Sequence, residues 1–160
     1  MNLDLVQKFD LTEQQHNLLN HFEELIFDWN KKINLISRKD INNFQTNHIA
    51  HSLSSSLYFK FKSNTKVLDL GTGGGLPGIP MAIIFPYVDF HLIDKVRKKI
   101  TVVADIAKKL KLKNVKTDWI NVNDLNRRYD FVISRSVASY HKIFSQCKNI
   151  FLSENKNEFE

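Results

Sequence analysis

The stretch Lys66-Val67-Leu68-Asp69-Leu70-Gly71-Thr72-Gly73-Gly74-Gly75-Leu76-Pro77-Gly78-Ile79-Pro80 decides how the rest of the chain is read. Its glycines, Gly71, Gly73, Gly74, Gly75 and Gly78, are all the glycines in 160 residues. The only prolines, Pro77, Pro80 and Pro86, lie beside them. Glycine costs backbone entropy and is useful where φ must be positive or a ligand must approach the main chain. Lys66–Leu70 reads as a buried strand running into the turn. Pro77 and Pro80 suit the first turn of a helix, where a missing N–H costs little. Strand, glycine turn and helix N-terminus together present backbone N–H groups and a positive dipole end to a ligand.

The glycines fit two registers. Gly73, Gly75 and Gly78 give G-x-G-x-x-G, the dinucleotide fingerprint. Gly71, Gly73 and Gly75 give G-x-G-x-G, with Asp69 two residues upstream. The second register opens directly at the strand end. It also puts a carboxylate where a pyrophosphate would be repelled and an ammonium or sulfonium tolerated. That favours S-adenosylmethionine over a nicotinamide dinucleotide as the ligand. Asp94, at the end of the next expected strand, can accept hydrogen bonds from ribose hydroxyls. Its alternative role is an ordinary helix cap.

Outward from the turn, strands and helices alternate. Strands are expected at Lys66–Leu70, Asp89–Ile93, Val115–Ile120 and Tyr129–Ser134. Helices are expected near Pro77–Phe85, at Val96–Leu110 and at Ser139–Phe151. This order predicts an α/β fold with a doubly wound parallel sheet and right-handed crossovers. Ligands of such sheets bind at the carboxyl ends of the strands, so Asn121–Asp124 and Ser134–Arg135 are expected to line one crevice. Upstream, Thr12 and Gln15 form a capping-box pattern. Leu18, Phe22, Leu25, Trp29 and Ile33 then follow at helical spacing to about Asn34. A second amphipathic helix is expected from Asp40 to Leu57.

Composition sets the outer limits. The chain holds 42% hydrophobic residues, enough for one core. A net charge of +6 favours a polyanionic partner, although a Lys/Asn-rich composition alone gives the same sign. The lone Cys147 excludes an internal disulfide and suits a reducing compartment. No signal-peptide core occurs in Met1–Asp10, and no apolar run spans a bilayer. A soluble cytoplasmic protein without a membrane role is expected.

Four motifs in order carry a resemblance. They are Asn34-Leu35-Ile36-Ser37-Arg38, His48-Ile49-Ala50-His51-Ser52, Asp69 to Pro80, and Ile133-Ser134-Arg135-Ser136-Val137-Ala138-Ser139. From about Leu11 to Phe151 the chain resembles the bacterial small-subunit ribosomal RNA methyltransferase G family, formerly called glucose-inhibited division protein B. The resemblance implies a Rossmann-like S-adenosylmethionine-dependent methyltransferase fold. Residues 1–62 would form a helical N-terminal extension, 63–152 the methyltransferase core, and 153–160 a polar tail, within one structural domain. It implies methylation of N7 of a guanine in 16S rRNA near the decoding centre, within the small ribosomal subunit. No obligate protein partner is implied. Carried over by position, Gly71 and Leu76 would contact the cofactor, as would Gly73 in the turn. Val122 and Asn123 would frame the adenine, and Arg135 would orient cofactor and substrate. Asn123 stands where the family usually has Glu. Asn47 stands where an Arg commonly precedes the histidine.

The family also continues with further strands, so this chain reads as C-terminally shortened and its sheet as incomplete. Strand four would then be an apolar edge, which predicts marginal stability or self-association. The alternative function is an S-adenosylmethionine- or nucleotide-binding module with weak or no catalysis, because the further strands are missing. The remaining motifs read more simply. His48 and His51 have helical i, i+3 spacing but no carboxylate or thiol companions, so no metal is expected. Cys147 sits in an amphipathic stretch without a nucleophile context. The Asn/Asp-Pro-Pro-aromatic motif of exocyclic-amine methylation is absent after strand four. Lys95, Arg97, Lys98 and Lys99 form one basic cluster, and Arg127 and Arg128 another. Each reads equally as a solvated face or an RNA phosphate track.

Overall fold

The computed structural model describes residues 7–37, 40–58 and 60–151. The polar tail expected at 153–160 and the first six residues lie outside them. Helix α1 (Glu13–Asn30) begins as the sequence predicts. The Thr12 hydroxyl accepts from the Gln15 N–H, and the Gln15 side chain accepts from the Thr12 N–H. The helix ends four residues before Asn34. The Asn30 side chain accepts the N–H groups of Leu35 and Ile36 and donates to the Ile36 carbonyl, which turns the chain back on itself.

The second expected helix is not regular. Ile41–Asn43 is a 3-10 turn, Gln45–Ala50 a π-helical stretch, His51–Leu53 a single α turn and Ser54–Leu57 a 3-10 turn. Ser52, Ser54 and Ser56 each donate a hydroxyl back to a carbonyl three or four residues earlier. Such local bonds compete with the ordinary ladder and deform it. Amphipathic spacing alone does not reveal this.

Beyond this segment come β1 (Lys66–Leu70), α2 (Gly78–Ile84), β2 (Asp89–Asp94), α3 (Arg97–Lys109), β3 (Val115–Trp119), β4 (Phe131–Ile133) and α4 (Tyr140–Cys147). The described strands form one parallel sheet in the order β3-β2-β1-β4. The chain winds outward from β1 to β3, then crosses over to the other side of β1. The sheet order therefore reverses beside the glycine turn. β4 is shorter than expected: at its start the Asp130 N–H still donates to the Lys66 carbonyl, but side chains take the neighbouring positions. Asp130 takes the Lys66 N–H, and the Ser134 hydroxyl donates to the Leu70 carbonyl. β4 is the sheet's edge strand. Beside its start, Phe151 makes a parallel bridge to Tyr129, and the Tyr129 N–H donates to the Ile150 carbonyl.

Strand alternation sends successive side chains to opposite faces. Val67, Phe90 and Leu92 join a core with Phe22, Ile26, Phe44, Ile49, Ile79 and Val103. Leu68, Leu70 and Ile93 join a second cluster with Tyr129, Cys147 and Ile150. The N-terminal helical segment thus shares one core with the sheet. Phe22 is fully buried and meets Phe44 at 6.0 Å between ring centroids. Phe22→Ala is expected to cost about 3–5 kcal/mol and to lower one cooperative unfolding transition. Calorimetric melts check this. Two separate transitions, with only one of them shifted, would show an independent extension.

Candidate nucleoside-cofactor site at the glycine turn

The turn after β1 has the geometry of the G-x-G-x-G register. Gly71, Gly73 and Gly75 have φ of +71°, +60° and +90°. Gly78 has no such need. It opens α2, where an added Cβ would lie 2.5 Å from Asp69 Oδ2 and 2.7 Å from Leu92. At Gly71 a Cβ would collide with the Val137 side chain. Gly71 therefore combines positive φ with close approach, and no other residue type meets both demands.

Two carboxylates hold the turn, one from its own strand and one from the neighbouring strand. Asp69 is fully buried beneath it. Its Oδ2 accepts the Thr72 hydroxyl at 2.6 Å and the Gly78 N–H at 2.9 Å, closing the loop onto the start of α2. Its Oδ1 is also buried and meets no donor among the described residues. Burial pushes the Asp69 carboxyl up to about 7, against the bonds from Thr72 and Gly78 and the nearby Arg135 charge. Asp94 comes from the neighbouring strand. Its Oδ2 accepts the Gly73 N–H at 3.0 Å, and its Oδ1 accepts the Val96 N–H at 2.8 Å. Asp94 thus ties the turn to the entrance of α3 and keeps further lone pairs toward the cavity it lines.

That cavity is about 340 Å³ and lies at the carboxyl ends of the strands. Leu70, Gly71, Asp94 and Lys95 form one wall, Ile120, Asn121 and Val122 a second, and Ser136, Val137 and Ala138 a third. Lys99, Lys142 and Gln146 reach its rim. Of the expected site residues, Gly71, Asp94 and Val122 line it. Gly73 joins it through its bond to Asp94. Asn123 stands one residue beyond the wall, its N–H held by the Asn121 side chain.

Leu76 is not on the wall. It is 6% exposed and belongs to the main core, before a cis peptide to Pro77. Arg135 is not on the wall either. Its guanidinium donates to His48 Nδ1 at 2.7 Å and to the Asn47 carbonyl at 3.3 Å. Arg135 can only donate, so His48 accepts at Nδ1. Burial first, and the Arg135 charge after it, hold His48 below the ordinary imidazole range. Arg135 therefore fastens the N-terminal segment to the end of β4. Sequence reading missed Val137 on the wall and Lys142 and Gln146 at the rim. The signal for Val137 was its place in the Ser134–Ser139 run.

A glycine cradle, the strand-end carboxylate of Asp94 and a partly apolar cleft can take a nucleoside. Asp69 does not face the ligand as the sequence suggests: it is buried beneath the turn and closes it onto α2. Among the described residues, no group of three His, Cys, Asp or Glu side chains is placed to hold a metal ion. The buried Asp69 carboxyl makes a pH prediction. The folded chain keeps its proton up to about 7, whereas the unfolded chain loses it near 3.8. Between those values the folded state binds more protons, so this group's contribution falls as pH rises. Asp69→Asn cannot titrate and is expected to flatten the fall in melting temperature between pH 4.5 and 8. An unchanged slope would contradict the burial of the charge.

Comparison with known proteins agrees with this geometry. The family model described as rRNA small subunit methyltransferase G matches residues 15–159. A ribosomal RNA small subunit methyltransferase G of Flavobacterium psychrophilum is 45% identical over 151 residues, covering 94% of this chain and 72% of the relative. Its counterpart in Christiangramia forsetii is 43% identical and covers 99% and 76%. That of Bacteroides thetaiotaomicron is 44% identical and covers 84% and 66%. The chain thus spans about two thirds to three quarters of these relatives' length. Among solved structures, a precorrin-6y C5,15-methyltransferase of Geobacter metallireducens has a TM-score of 0.53 at 18% identity, covering 74% of this chain and 60% of that one. A SAM-dependent methyltransferase of Aquifex aeolicus has a TM-score of 0.51 at 20% identity, covering 62% and 57%. At such identities these two show the fold, a Rossmann-like methyltransferase sheet. The match over nearly the whole chain, on a sheet whose crevice is lined by the glycine-turn motif and the Ile133–Ser139 motif, places this chain in the rRNA small subunit methyltransferase G family, whose cofactor is S-adenosylmethionine.

Proposed function

We propose that the protein transfers a methyl group from S-adenosylmethionine to N7 of a guanine in 16S rRNA, on the small ribosomal subunit in the cytoplasm. The observation that carries this reading is the crevice itself. Its glycine turn, Asp94 and Val122 converge at the carboxyl ends of the strands, in a chain whose relatives are named for methylating ribosomal RNA. No helix among the described residues is long and apolar enough to cross a membrane.

In this reading the residues divide the work. Gly71 lets the cofactor lie against the main chain. Asp94 has lone pairs left for the ribose hydroxyls after holding Gly73 and Val96. Val122 and the backbone at Asn123 frame the adenine. Asn is acceptable at 123 when the backbone does the reading. Leu76 acts from beneath, packing the turn rather than touching the ligand. When bound, S-adenosylmethionine supplies an electrophilic methyl group on a sulfonium centre. Guanine N7 has a free lone pair and no proton to lose, so the chain needs no general base. Its task is to hold the two reactants in line and keep water out.

Gly71→Val tests the site. A β-branched side chain resists positive φ and would fill the space next to Val137. Calorimetric binding of S-adenosylmethionine and methyl incorporation into isolated small subunits are both expected to vanish, with the fold retained by circular dichroism. Wild-type affinity in that variant would move the cofactor elsewhere. In wild-type reactions, nuclease digestion and mass spectrometry of the 16S rRNA are expected to give 7-methylguanosine. A methylated exocyclic amine would contradict the assignment.

Arg135 has a different part in this reading. Clamped to His48 and Asn47, it sets the N-terminal segment against the mouth of the crevice, where the guanine must enter. Arg135→Ala is expected to reduce methyl transfer by about tenfold or more while shifting the melting temperature by only a few degrees. Full activity with a large loss of stability would make the clamp purely structural.

A further inference from the structure

A second cavity, of about 430 Å³, opens at the opposite end of the sheet. Its rim comes from the amino ends of three strands, at Lys66, at Asp89–His91 and at Val115–Lys116. Five cations surround it: Lys66, Lys113, Lys116, Arg127 and Arg128. Asp89 is the one carboxylate on the wall. Asp118, just behind, is committed. It accepts from His91 Nε2 at 2.8 Å and from Lys116 Nζ at 2.6 Å. Among the described residues, no ion pair engages Lys66, Lys113, Arg127 or Arg128.

The floor is polar and fixed. His91 and Tyr129 are 5% and 3% exposed and share a hydrogen bond through His91 Nδ1 and the phenol oxygen. The Asp118 carboxylate takes the Nε2 proton, and burial holds His91 below the ordinary imidazole range. The backbones that carry the free cations are anchored as well. Asn114, next to Lys113, donates to the carbonyls of Ala82, Phe85 and Val88. Tyr129, next to Arg128, is bonded to Ile150. Exposed, long, mobile cations on a rigid frame suit an extended anion better than a small one, because no buried donors converge to define a compact pocket.

We propose that this cavity grips the phosphate backbone of the substrate RNA at a point remote from the methylated base. The proposal rests on the rRNA reading above. Strands of five or six residues at about 3.3 Å each set the cavity roughly 16–20 Å from the cofactor crevice. One nucleotide cannot occupy both, so the contact belongs to another part of a folded RNA. Phosphate contacts of this kind position the protein without reading sequence. The cavity therefore acts on the affinity for RNA and leaves the chemical step alone.

The test is the triple substitution K113Q/R127Q/R128Q in the full chain, all at exposed positions. A control, K8Q/K32Q/K108Q, removes the same charge elsewhere. S-adenosylmethionine calorimetry serves as the folding check, and both variants are expected to match wild type. Affinity for isolated small subunits and for protein-free 16S rRNA is then measured against salt. The cavity variant is expected to bind about tenfold or more weaker, with the log–log salt slope reduced by roughly two. Its KM for subunits rises and its kcat stays unchanged. The control keeps wild-type values. Equal binding by wild type and cavity variant overturns the proposal, and so does an equal loss in the control. Stronger binding of poly-glutamate than of rRNA at the same cavity overturns it in favour of an acidic protein partner. The two readings fail separately. Wild type that binds RNA through these residues but incorporates no methyl removes the activity and leaves the cavity. Methyl incorporation with an unchanged subunit KM in the cavity variant does the reverse.

Discussion

A single buried oxygen, Oδ2 of Asp69, closes the glycine turn by holding Thr72 and Gly78 at once. The rest of the site depends on that closure. It fixes where the turn ends and α2 begins, so that Gly71, on the crevice wall, and Gly73 are held in positive φ. Gly78 is glycine because the same oxygen leaves no room for a Cβ. Asp94 completes the arrangement from the neighbouring strand by fixing the Gly73 N–H. The cost is a carboxyl group in a dry place, seen in its upward shift to about 7. A buried group of this kind is tolerated where its hydrogen bonds define a functional geometry.

Topology then places the ligand. With order β3-β2-β1-β4, the chain reverses direction across the sheet between β1 and β4. The loops after these two strands diverge and leave a cleft. Val137, beyond β4, stands directly over Gly71. The N-terminal segment is drawn into the same region from the other side, since Arg135 reaches back to His48 and Asn47. α1 and the irregular helical stretch share the principal core with β1 and β2, so the crevice rests on a single packed body.

Much of this was legible in the sequence, for identifiable reasons. The glycine run, the flanking apolar strands and the Thr12–Gln15 box are local signals, and each formed where local chemistry put it. Side-chain destinations were less legible. Strand alternation already contained the fact that Asp69 shares a face with Val67, away from Leu68 and Leu70, and hence lies under α2 rather than in the open cleft. The burial of Leu76 and the reach of Arg135 toward His48 depend on the tertiary path of residues 40–57, whose serines break the helical period. The basic cavity at the far end joins short pieces of four segments. In the sequence only Arg127 and Arg128 stand out as a cluster there, while Lys66, Lys113 and Lys116 are scattered.

The central claim is that the turn after β1 and the ends of β2, β3 and β4 form the cofactor crevice. The most direct test is an amide NMR titration of the isotope-labelled chain with S-adenosylhomocysteine. The account predicts that shift changes concentrate at Gly71, Gly73, Asp94–Val96, Asn121–Asn123 and Ser136–Ala138, while Lys113, Lys116 and Tyr129 stay still. Changes centred away from the glycine turn, or stronger perturbation of the same amides by NADH than by S-adenosylhomocysteine, would contradict it.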